Sequence, residues 1–98
     1  MIIDTHLHVW SSDYDRYPVS DGKPSGEDGS VEFLNGKMDE AGVDRAVIVQ
    51  PRHYLFDNSY VADTLKRYPG RFAAVGLVDQ FERGAADGLE ALVKEHGF

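Results

Sequence analysis

The chain has no cysteine. Disulfides, thiolate ligands and a cysteine nucleophile are thereby excluded, and any metal must be held through nitrogen and oxygen. Basic residues are scarce as well: 10 Lys and Arg stand against 17 Asp and Glu, a formal net charge of −7. Such a field repels phosphate backbones, and nucleic-acid binding rests on clustered basic surface, so no nucleic-acid partner is expected. No stretch approaches the ~18 consecutive apolar residues of a membrane span, and no membrane partner is expected either. No basic and apolar leader precedes the first strand, which starts right after Met1. The expected location is the cytoplasm.

What is present fits one soluble unit. At 98 residues, with 42% apolar and 28% charged residues, residues 1–98 can build one modest core and not two. The organising stretch is Met1-Ile2-Ile3-Asp4-Thr5-His6-Leu7-His8-Val9-Trp10. In an extended strand Ile2, Asp4, His6 and His8 share one face, while Ile3, Thr5 and Leu7 fill the other. Two residues of strand cover roughly 6.5–7 Å, so two imidazoles leaning together can each bring a ring nitrogen to about 2 Å from a shared cation. A lone strand histidine is ordinarily packed or exposed without function. Here Asp4 on the same face and a Trp at the strand's end favour a metal.

Ser11 to Ser30 is rich in Ser, Asp, Gly and Pro without an apolar period, and reads as a long loop on the active-site side, leaving the end that carries the histidines. Val31, Leu34, Met38 and Ala41 then mark an amphipathic helix, with Ser30 as N-cap and Gly42 at the left-handed C-terminal position. Arg45 to Gln50 reads as a strand buried on both faces, stopped by Pro51. After the loop 51–56, Asp57-Asn58 is a capping pair for a helix carrying Val61, Leu65 and Tyr68, ended by Pro69-Gly70. Phe72 to Val78 is a third strand closed by Asp79. Gly84 to Gly97 is a third helix with Ala85, Leu89, Leu92 and Val93 on one side.

The order βαβαβα, with strands apolar on both faces, requires a parallel sheet with right-handed crossovers. Strands two and three start about 27 residues apart, and the same step forward places a fourth strand near residue 98. A three-stranded parallel sheet covered on one face leaves the other face and both edges open. The chain is therefore expected to be the first three β/α units of a (β/α)₈ TIM barrel, which typically needs about 250 residues. A doubly wound domain is the rival, but no Gly-rich phosphate loop follows Trp10.

In such a barrel active residues come from the C-terminal strand ends and the loops after them. His6 and His8, Gln50, and Asp79 occupy those ends, with His53 and Tyr54 in the second loop. These residues resemble a known family. Asp4-Thr5-His6-Leu7-His8-Val9-Trp10 is similar to the opening Asp-x-His-x-His-x-Trp of the amidohydrolase-related superfamily, in particular its lactonase and decarboxylase branch. The likeness continues through Asp39-Glu40-Ala41-Gly42-Val43-Asp44-Arg45-Ala46-Val47, Val49-Gln50-Pro51, Asp57-Asn58-Ser59-Tyr60 and Arg67-Tyr68-Pro69-Gly70-Arg71-Phe72. Tyr17-Pro18 resembles the sugar-lactonase members, with Val19 where they often carry Trp.

The resemblance implies a hydrolase in which His6 and His8 bind a divalent metal, usually zinc, while further ligands and a general-base aspartate come from later strands. Some relatives in the lactonase branch work without metal and use these histidines on the substrate. Asp4 is a candidate for orienting an imidazole, with a structural hydrogen bond as the competing role. Gln50, His53 and Tyr54 are candidate contacts for a small-molecule substrate. A strand-end amide such as Gln50 can equally serve the loop backbone, and the other two can be plain loop residues. Asp57 and Asn58 read as helix caps, and His96 as complementing a helix dipole. The leading expectation is hydrolysis of a small lactone or a related carboxylated or sugar-derived substrate. Competing readings are a metal-dependent decarboxylase, a TatD-like metallonuclease, disfavoured by the acidic balance, a phosphoesterase of the polymerase-and-histidinol-phosphatase type, and an inactive barrel fragment that forms homo-oligomers through its open sheet edges.

Overall fold

The alternation of strands and helices anticipated above is the one the chain adopts in a computed structural model, which describes residues 1–20, 22 and 26–98. Its elements are β1 (Ile3–Leu7), α1 (Val31–Ala41), β2 (Arg45–Val49), a 3₁₀ turn (Arg52–Tyr54), α2 (Ser59–Arg67), β3 (Phe72–Val75) and α3 (Ala85–His96). The strands form one parallel sheet in the order β1-β2-β3. Residues 21 and 23–25 of the long first loop lie outside the described residues. Among the described residues no helix is long and apolar enough to cross a membrane.

Local chemistry sets most boundaries. Ser30 Oγ accepts the Phe33 N–H at 3.2 Å and starts α1, and Gly42 ends it in a left-handed conformation. β2 lies in the middle of the sheet, where Ala46 and Ile48 are buried against the helices and Val47 and Val49 are half-buried on the opposite face. The core is Val9, Tyr17, Val31, Ile48, Tyr54, Tyr60 and Val61. Three of its seven members are tyrosines, so each must find a partner for its hydroxyl.

Several sequence expectations are corrected. β2, expected to be buried on both faces, is fully buried only on the helix side, and in the apolar β3 Val75 on the other side is 52% exposed. β3 also stops at Val75 rather than Val78, because the backbone of Leu77 bonds to the side chain of Asn58 instead of to a strand. The buried face of α2 is Tyr60, Val61 and Thr64, with Leu65 half-buried, since Tyr60 points its ring into the core and Thr64 Oγ1 satisfies itself on the Tyr60 carbonyl. On α3 only Leu92 is buried; Leu89 and Val93 are exposed.

Candidate functional site

β1 brings His6 and His8 to the C-terminal edge of the sheet. Their rings stand 5.3 Å apart between centroids and nearly perpendicular, at 85°. His8 Nδ1 lies 2.8 Å from the Val49 carbonyl oxygen. A carbonyl can only accept, so Nδ1 carries a proton, and in the neutral form of the ring the lone pair sits on Nε2. That is the tautomer a metal ligand needs. Both histidines are exposed.

Of the two roles expected for Asp4, the structure shows the structural hydrogen bond, at an irregularity in β1. Asp4 pairs with Ala46 and Leu7 with Ile48, so β1 accommodates one extra residue between them. The bulge breaks the strict alternation that placed Asp4 on the histidines' face, and aligns Asp4 and Leu7 with the helix-covered residues of β2. Asp4 Oδ1 accepts the backbone N–H of His6 at 3.1 Å, which holds the bulge rather than a ring.

The loop after β2 carries the other candidates. His53 is half-buried in the 3₁₀ turn, its ring edge-on to Trp10 at 6.0 Å and tilted against Tyr54 at 4.6 Å. Burial, and secondarily the nearby His8, lower its pKa and keep it neutral. Tyr54 is 1% exposed, and its hydroxyl accepts the Ser11 N–H at 2.8 Å. It belongs to the core and to the anchoring of the first loop. Gln50 is 6% exposed and donates from Nε2 to the carbonyls of Leu55 and Asp57. Its amide hydrogens are thus taken by loop backbone. Asp79 lies beyond β3 in a turn, where its carboxylate accepts the Phe81 N–H. Asn58 makes no capping bond, while Asp57 Oδ1 accepts from the Ser59 N–H.

The sequence reasoning passed over the groups that tie the first loop down. Trp10 N–H donates to the Gly29 carbonyl at 2.9 Å, and Ser20 N–H to the His53 carbonyl at 2.7 Å. Gly29 must lack a side chain, because a Cβ there would lie 2.0 Å from Trp10 Cε2. Tyr17 Oη donates to Asp63 at 2.5 Å, and Tyr60 Oη accepts the Val31 N–H. Burial first, then Asp63, pushes the Tyr17 hydroxyl up to about 12. Tyr17 and Tyr60 were a signal, since a buried tyrosine needs a partner for its hydroxyl.

Chemically, the rim offers two imidazoles with one fixed tautomer, flanked by a neutral third histidine and an indole. Among the described residues no group of three or more His, Cys, Asp or Glu side chains converges to hold an ion. His6 and His8 fit a metal as two of its ligands, and a tetrahedral site takes three or four from protein.

Comparison with known proteins places this geometry. No curated protein matches the chain. A crystal structure from Acinetobacter baumannii, described as a probable 2-pyrone-4,6-dicarboxylic acid hydrolase with citric acid bound, is 23% identical, with a TM-score of 0.77 over 97% of this chain and 34% of its own. A Pseudomonas putida protein with the same provisional assignment is 26% identical, with a TM-score of 0.73 over 91% of this chain and 32% of its own. An Agrobacterium tumefaciens protein is 22% identical, with a TM-score of 0.67 over 92% of this chain and 33% of its own. The chain thus spans about a third of the length of these structures and corresponds to the N-terminal part of a TIM-barrel amidohydrolase. The profile of the amidohydrolase family matches residues 3–98, and the chain belongs to that family.

Proposed function

We propose that the protein is a hydrolase that opens a small lactone or a related carboxylated or sugar-derived substrate in the cytoplasm, with His6 and His8 as two ligands of a divalent metal, zinc foremost. The observation that carries this reading is the hydrogen bond from His8 Nδ1 to Val49, which leaves Nε2 as a lone-pair donor beside the His6 ring. A bound metal polarises a carbonyl and lowers the pKa of water toward ~7, which makes hydrolysis feasible near neutral pH. The remaining tasks fall to side chains of this chain. Val49 holds His8 in its tautomer, and Trp10 packs edge-on against His53. His53, neutral near pH 7, offers a hydrogen bond without adding charge.

The names of the similar structures support the substrate class. A 2-pyrone is a cyclic ester, and the compound in two of those names carries two carboxylates. Water adds to the ring carbonyl and the acyl C–O bond breaks, giving a hydroxy acid from a saturated lactone and, from a 2-pyrone, an enol acid that converts to the keto acid. The test is an assay of the full-length gene product with and without a chelator, on sugar lactones, pyrone carboxylates and aromatic carboxylates. Turnover lost on chelation and restored by zinc supports the whole reading. Turnover that survives complete metal removal overturns the metal assignment and leaves the histidines as substrate-binding groups, and no lactone turnover overturns the substrate class.

A further inference from the structure

Two buried carboxamides lie beneath the rim. Gln50, at the end of β2, donates to the Leu55 carbonyl at 3.0 Å and the Asp57 carbonyl at 2.7 Å. Asn58, 8% exposed, donates to the Phe56 carbonyl at 3.1 Å and the Leu77 carbonyl at 2.9 Å, and accepts the Leu77 N–H at 3.0 Å. Three consecutive carbonyls, of residues 55, 56 and 57, are therefore captured by two side chains. The second of these also grips the segment that follows β3 on both its backbone groups.

The captured backbone is not one that the loop would adopt unaided. Leu55 has φ 48° and ψ −118°, a region that L-residues rarely occupy and that persists only when surrounding bonds over-determine it. The Leu55 N–H closes the 3₁₀ turn on the Arg52 carbonyl, and that turn carries His53. On the far side the fit is equally close: a Cβ on Gly76 would meet Leu92 at 2.8 Å and Asn58 Oδ1 at 3.1 Å. Either loop can shift only by disturbing a buried carboxamide.

We infer that Gln50 and Asn58 are positioning residues that act together as a clasp: Gln50 fixes the shape of the His53-bearing loop after β2, and Asn58 ties that loop to the segment after β3, so that the two are presented to substrate as one rigid unit. The inference rests on the hydrolase reading for its catalytic consequence, and on geometry alone for the coupling between loops. β1, with His6 and His8, makes no bond to either carboxamide among the contacts described. Metal binding and loop positioning are therefore separable.

The test uses the full-length protein with Gln50→Glu and Asn58→Asp, which replace each amide donor by a carboxylate oxygen that repels the carbonyls it faces, and with Gln50→Ala and Asn58→Ala should the buried charges prevent folding. Backbone and ring resonances, metal affinity, kcat and KM are read on each folded variant. Expected are a displaced Leu77 amide in the Gln50 variants, displaced His53 ring resonances in the Asn58 variants, unchanged metal affinity, and a fall of up to about 100-fold in kcat/KM from the misplaced rim. Shifts confined to the loop that carries the substitution overturn the clasp, and so does an unchanged kcat/KM in a folded variant with shifted loops. Wild-type protein inert on every lactone would overturn the lactone substrate class alone, since the resonance shifts decide the coupling without substrate.

Discussion

His8 combines an exposed ring with one nitrogen fixed on Val49, and removing it should separate metal binding from folding. His8→Ala in the full-length protein is expected to weaken zinc binding by at least about 100-fold, by equilibrium dialysis, because loss of a ligand exceeds the effect of losing an outer-shell partner. Its melting temperature should stay near wild type, since an exposed side chain is lost. Tyr17 is the opposite case, buried and structural. Its hydroxyl titrates near 12 in the folded chain and near 10 when unfolded, so the folded state holds the proton more tightly. The stabilisation is complete below pH 10 and is lost as pH rises through 12. Tyr17→Phe should cost about 1.5–3 kcal/mol at pH 7 in urea titrations, as a bond to a carboxylate is removed, and should flatten the alkaline loss.

At the scale of elements, the first loop is set by its two ends. Gly29→Ala would drive a methyl into the indole of Trp10, the single tryptophan of the chain. A red-shifted and weakened fluorescence spectrum, with lower stability, is the expected outcome; an unchanged spectrum would show that the indole moves aside freely. α1 was legible in full, because Ser30, the spacing of Val31, Leu34 and Met38, and Gly42 are all local signals. β1 was legible as a strand but not in its alternation, since nothing in Asp4-Thr5-His6 announces an inserted residue. The end of β3 and the role of Asn58 were hidden for a shared reason. Both depend on a bond between residues 58 and 77, and no local pattern encodes a partner 19 positions away. The burial of Tyr54 was hidden likewise, being fixed by Ser11 across the fold.

For the molecule as a whole, the shortest dimension, 19 Å, is that of one sheet with one layer of helices. The face opposite the helices leaves Ile3 and Val75 exposed, and among the described residues no strand lies beside the outer edges of β1 and β3. Exposed apolar edges of this kind favour association. The 98-residue chain expressed by itself is expected to elute from a sizing column above its monomer mass of 10.9 kDa. Val75→Lys should shift it toward monomer, and a wild-type chain that already runs as monomer would refute the idea. The histidine pair was readable because it sits within one strand. The ligands that would complete it were not, because a barrel gathers its site from strands far apart in sequence.

The bond between Trp10 and Gly29 closes the first loop at its base, beside the histidines. Because lengthening an already closed loop costs little, roughly 0.6 kcal/mol per doubling, the distance along the chain between those two anchors is weakly constrained by the closure itself. What the segment must keep is its ties to the rest of the fold, Ser11 on Tyr54, Tyr17 in the core and Ser20 on His53; with those retained, relatives could diverge in what they accept by rewriting the remainder, and a protein engineer could transplant it between family members by cutting at the tryptophan and the glycine.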